Sequence, residues 1–229
     1  MFELINICIG KSSMDPRNKL LKYIFKILEE NERFLHEEAK GVLEEVVDLT
    51  NDSIDYLRYI NQNKYLSQAT TFFLAHVLMP QSYALYIDLL TGNLPVCFIE
   101  LRILVESLAK SYYADLKYPN ESFFGDKFLK LENDLKSQNL TITKVVAKVE
   151  KEFGFNGELS YLWKDISRSW VHSEGLSKRV IENICEREVP PWGLIIPMTY
   201  KETDLQELFE LQKDLVIFRN ITSSIISSL

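Results

Sequence analysis

The segment Leu94 to Tyr113, LPVCFIELRILVESLAKSYY, restricts the fold more than any other part of the chain. At about 100° per residue, Cys97, Leu101, Leu104, Leu108 and Tyr112 line one broad face. Phe98, Ile99, Ile103 and Val105 cover much of the rest. A helix apolar over most of its circumference needs other helices around it, so this one is expected at the centre of a bundle. Arg102 and Glu106 share the remaining side, with Tyr113 further along it. An isolated charge is costly to bury, so the two are expected to pair with each other or with groups on neighbouring helices. Such a pair sets helix register. Its functional alternative is a pocket wall that orients a ligand anion.

Helical spacing recurs on both sides of this segment. Asp15-Pro16 is a strong helix start, because Asp caps free N–H groups and Pro suits the first turn. Apolar residues then repeat from Leu20 to Leu35 and from Val42 to Ile60, with Gly41 as the expected weak point. The opposite face carries Glu38, Glu45, Asp48, Asp52 and Asp55, and reads as a solvated ridge. A helical region at 67–91 is expected to kink at Pro80, and Gly92-Asn93 to stop it and start the central helix. Shorter helices are expected at 123–137 and 142–153. From Leu176 to Tyr200 the helical pattern fails, and Pro190-Pro191-Trp192-Gly193 marks a turn. Thr203 and Gln206 have the spacing of a capping box for a last helix.

These patterns give an all-α fold: one domain over 1–229, with an N-terminal segment 1–14 and a main bundle 15–175. An irregular arm or short hairpin follows at 176–200, and then a C-terminal helix at 201–229. Only 8 glycines and 7 prolines punctuate the chain, which favours long helices over many short strands. The formal net charge of −7 argues against a broad basic groove for nucleic acid. Cys8, Cys97 and Cys185 show no metal or disulfide spacing and read as reduced thiols of a cytoplasmic protein. The apolar start has no basic leader region, and no uncharged run reaches a bilayer's span, so no membrane is expected. His36, His76 and His172 fit no metal pattern, so neither a metal nor another cofactor is expected. His76, in FFLAHVLM, reads as a core histidine bonded to a neighbour.

A second segment carries the remaining chemistry. In Leu159 to Glu174, LSYLWKDISRSWVHSE, Leu159, Leu162, Trp163, Ile166 and Trp170 take one side. Tyr161, Asp165, Arg168 and His172 form a stripe on the other. A guanidinium holds phosphate by two hydrogen bonds, and an imidazole exchanges protons near neutral pH. With Asp165 to orient and Tyr161 to stack, the stripe can act on a phosphodiester whose 2′-hydroxyl is the nucleophile. The plain alternative is an exposed polar face with an ordinary Asp165–Arg168 pair.

Two stretches carry a family resemblance. Leu90 to Tyr113 has a Gly-containing turn followed by a helix bearing Leu101, Arg102 and Glu106 as LR-x3-E. Ser167 and His172 stand near the end of a later helix. Together they resemble HEPN-like helical proteins, which include uncharacterised and abortive-infection-related families. The resemblance implies a homodimer. It further implies either a metal-independent ribonuclease with an Arg/His motif at a shared cleft, or an inactive scaffold or binding module. In the nuclease motif four to six residues separate Arg from His; here Ser169, Trp170 and Val171 alone separate Arg168 from His172.

Three functions follow as expectations. The leading one is a non-catalytic, HEPN-like binding or assembly protein, with a homodimer and an RNA or protein partner, in a defence setting. The second is a ribonuclease of a defence or toxin–antitoxin system, with Arg168 on the scissile phosphate and His172 as acid and base. The third is a small-ligand binder whose bundle cavity is lined by Arg102, Glu106 and tyrosines.

Overall fold

The computed structural model describes residues 16–171 and 198–229. Every regular element among them is helical, with no strand. The chain runs through α1 (Pro16–Glu38), α2 (Lys40–Tyr59), a short α3 (Gln62–Ser67) and α4 (Ala69–Phe73). A π-helical segment, Leu74–Leu78, joins α4 to α5 (Met79–Leu90). Then come α6 (Leu94–Lys117), α7 (Phe124–Ser137), α8 (Ile142–Phe153) and α9 (Glu158–Ile166). A second π-helical segment, Ser167–Val171, extends α9, and a 3₁₀ turn (Glu202–Asp204) leads into α10 (Leu205–Ser228).

The apolar segment is α6, and it stands at the centre as its composition requires. It packs against α4, α5, α7, α8, α9 and α10. Cys97, Phe98, Leu101, Leu104, Val105 and Leu108 have no exposed surface. Phe98 stacks on Trp170, with ring centroids 3.8 Å apart, which ties the second π segment to the core.

Several boundaries differ from the sequence reading for local reasons. The long N-terminal stretch breaks at Ala39, whose backbone leaves helical space (φ −140°, ψ 37°), and not at Gly41. Gly41 lies inside α2, where a Cβ would stand 2.2 Å from the side-chain amide of Gln212, so its smallness makes room for that side chain. Pro80 sits in the first turn of α5, directly after the π segment. There the Met79 N–H already bonds back five residues to the Leu74 carbonyl, so the ladder is shifted where Pro lacks a donor. The last helix is not capped by Thr203 and Gln206. Asp204 accepts the Lys201 N–H at 2.8 Å, and Thr203 lies within the 3₁₀ turn. The expected arm falls mostly at 172–197, outside the described residues; 198–200 have no regular structure.

That short stretch is pinned by one buried side chain. Asn31 donates to the carbonyls of Leu90 (2.8 Å) and Met198 (2.7 Å), and its carbonyl accepts the Tyr200 N–H at 2.8 Å. Met198 N–H bonds Thr91 O at 3.0 Å. Gly92, at φ +71°, completes the turn between α5 and α6. A Cβ there would meet Met198 O at 2.1 Å, so only glycine fits.

Candidate functional site

Five polar residues of α6 line one face, a polar seam along the helix. Positions 102, 106, 110, 113 and 117 advance by four, four, three and four residues, which keeps them on one helical face. Arg102 is largely buried, with 15% of its side chain exposed. Its Nη1 donates to Glu106 Oε2 at 2.5 Å and its Nε to Ser167 Oγ at 2.7 Å. Its guanidinium lies 4.6 Å from the centre of the Trp163 ring. Ser167 Oγ in turn donates to the Trp163 carbonyl at 2.6 Å. Arg102 is thus held on an edge, a tip and a face by groups of the protein itself.

Glu106 is shared, because its Oε1 accepts Lys110 Nζ at 2.5 Å. Burial opposes ionisation of this carboxyl. The hydrogen bonds from Arg102 and Lys110 outweigh it and hold Glu106 below its ordinary value. One turn on, the buried Tyr113 hydroxyl accepts Lys148 Nζ from α8 at 3.0 Å. The Tyr113 ring has Lys148 Nζ 5.2 Å and Lys117 Nζ 5.8 Å from its centre. Lys117 pairs with Asp134 of α7, which also accepts the Tyr118 hydroxyl.

The stripe on α9 is a separate surface facing α10. Tyr161 is about half exposed, with Lys213 Nζ 5.4 Å from its ring centre. Asp165 is mostly covered, and its Oδ1 lies 3.8 Å from Arg168 Nη2. The Arg168 side chain is 85% exposed. Behind them, buried Asp214 is pushed up to about 7 by burial first, then by the charges of Glu210 and Asp165, with Lys213 opposing. His172 lies outside the described residues. The structure therefore brings Arg102, Glu106 and Ser167 together, places Tyr113 on the same seam, and sets Tyr161, Asp165 and Arg168 on another flank.

Other candidates resolve simply. His76 is exposed, not in the core, but it does bond a neighbour: its Nε2 pairs with the Tyr65 hydroxyl, and its ring packs on Phe72 at 4.6 Å. Cys97 has no exposed surface, and burial pushes its thiol well up. Cys8 and Cys185 fall outside the described residues. Among the described residues no cluster of metal-ligating side chains forms, and no helix is long and apolar enough to cross a membrane. A surface recess is lined by Tyr56, Tyr59, Ile60, Asn61 and Lys64, none of them seam residues.

Three side chains that organise the molecule escaped the sequence reading. Asp115 of α6 accepts the N–H groups of Ala69 and Thr70 at 2.8 Å each, capping α4 from another helix, and pairs with buried Lys127 at 2.8 Å. Arg219 of α10 contacts Glu45, Asp48 and Asp52, so the acidic ridge is partly an interface with α10. Lys148 reaches Tyr113 across 35 positions. The Glu106–Lys110 pair also escaped it, although its four-residue spacing is a local signal.

Comparison with protein-family models, with curated proteins and with solved structures gives no match.

Proposed function

We propose that this chain is a non-catalytic, HEPN-like helical protein that works by binding or assembly. The observation that carries the reading is that Arg102 is engaged by groups of the protein itself. Three residues behind the family resemblance, Arg102, Glu106 and Ser167, are joined by hydrogen bonds, with Lys110 and the Trp163 carbonyl as further partners. A guanidinium engaged on its edge, tip and face has a structural role, joining α6 to the end of α9. The spacing between Arg168 and His172 is also shorter than the nuclease motif requires.

Assembly as a homodimer is part of this proposal. Sedimentation velocity at micromolar concentration is expected to show a dimer. A monomer across the accessible concentration range would remove the assembly branch and leave binding alone.

A second reading has one observation in its favour. Arg168 is exposed, and among the described residues its one ion pair is the 3.8 Å contact with Asp165, so its guanidinium can reach a phosphate. That reading makes the chain a metal-independent ribonuclease of a defence system with His172 as acid and base. It requires RNA cleavage in EDTA that disappears in His172→Ala.

A further inference from the structure

Charge is divided along α1 in an order that the helix alone does not favour. Residues 16–28 carry Arg17, Lys19, Lys22 and Lys26 and no acidic side chain. Residues 29–38 carry the carboxylates of Glu29, Glu30, Glu32, Glu37 and Glu38, against Arg33. A helix dipole favours anions at the N-terminus and cations at the C-terminus, so this order opposes the stability of α1 as a lone element. A second helix laid antiparallel sets each basic half against an acidic half, and the same order becomes attractive.

An apolar face crosses the junction of the two halves. Leu21 and Phe25 are each more than half exposed. At about 100° per residue they share one face of α1 with Lys22, Leu28, Glu29 and Glu32. Of these, Lys22, Glu29 and Glu32 are exposed and Leu28 is half-buried. In an antiparallel pair related by a two-fold axis, residues whose numbers share one sum face each other. With the axis beside Phe25 that sum is about 50. Leu21 then meets Leu28 of the second copy, Lys22 meets Glu29 of the second copy, and the two Phe25 rings meet at the axis. Each unlike pair occurs twice, so one surface complements itself in apolar contact and in charge.

We propose that this face of α1 is the surface through which two copies of the chain assemble, antiparallel about Phe25. The proposal rests on the assembly reading above and gives it a surface and a partner. A basic, apolar helix also suits an anionic membrane surface. Glu29 and Glu32 on the same face oppose that occupant, and a second copy uses them.

Sedimentation velocity of the full chain in the micromolar range is expected to show a dimer. Phe25→Ser removes the central contact and is expected to weaken the dimer more than about tenfold. Lys22→Glu sets like charges together at both ends of the pairing and is expected to weaken it about tenfold. Adding Glu29→Lys to Lys22→Glu is expected to restore the wild-type affinity, which separates a lost contact from a damaged fold. Tyr59→Ser, which removes an exposed ring from α2, is expected to leave the dimer unchanged. A dimer unmoved by both Phe25→Ser and Lys22→Glu overturns this surface and leaves the assembly reading standing. A monomer throughout removes both. A monomer that binds vesicles of phosphatidylglycerol and phosphatidylcholine, and loses them in Phe25→Ser, assigns the face to a membrane and overturns the proposal. A monomer that Phe25→Ser destabilises towards urea assigns the face to another segment of this chain and likewise overturns it.

Discussion

Glu100 is the most informative side chain to perturb. It lies on α6, is 6% exposed, and its Oε2 is buried without a hydrogen-bond partner among the described residues. Burial, then the nearby charge of Asp88 and a hydrogen bond with it, push its carboxyl up from an ordinary 4.5 to about 8. The folded protein therefore holds a proton that the unfolded chain releases above 4.5. The stabilisation from that proton is complete below about 4.5 and is lost as pH rises to about 8. The full interval corresponds to at most about 5 kcal/mol. Glu100→Gln mimics the protonated acid and keeps a donor for Asp88. Urea denaturation at pH 5 and pH 8 measures the difference. At pH 5 the variant is expected to match the wild type within about 1 kcal/mol. At pH 8 it is expected to be more stable by about 1–4 kcal/mol. Parallel pH profiles for the two proteins would refute the reasoning, because an ionised or solvated Glu100 gives no such divergence.

Other substitutions test the remaining links. Asp115→Ala strips the cap from α4 and strands buried Lys127, so denaturant unfolding is expected to show a loss of about 3–5 kcal/mol. Gly92→Ala forces a side chain into the left-handed region against Met198 O, and a drop of more than about 1 kcal/mol in the same assay is expected. Arg102→Gln leaves Glu106 and Ser167 without their partner and is expected to cost about 2–4 kcal/mol, whereas Arg168→Gln, on an exposed side chain, is expected to cost less than about 0.5 kcal/mol. Equal losses at positions 102 and 168 would mean that the seam is not the structural lock described.

The all-helical architecture and the central place of α6 were legible because both follow from periodicity, which survives in a single sequence. The two helices at Phe124–Ser137 and Ile142–Phe153 end within a residue of where Gly, Pro and polar punctuation placed them. The Arg102–Glu106 pair was legible for the same reason, as neighbours one turn apart. Its third partner, Ser167, was visible only as one half of a resemblance. Long-range partners were not legible. Nothing local to Asp115 tells that it caps a helix 45 positions away, nor to Arg219 that it faces Asp48 across 171. His76 misled because its flanks are apolar; the π segment turns the ring outward among Phe72 and Tyr65.

Binding without turnover is tested in one sample. Labelled structured RNA is incubated in EDTA with excess protein, then divided between a native and a denaturing gel. The RNA is expected to stay full length on the denaturing gel, whether or not it is retarded on the native one. RNA cut by the wild type and left intact by His172→Ala would contradict it.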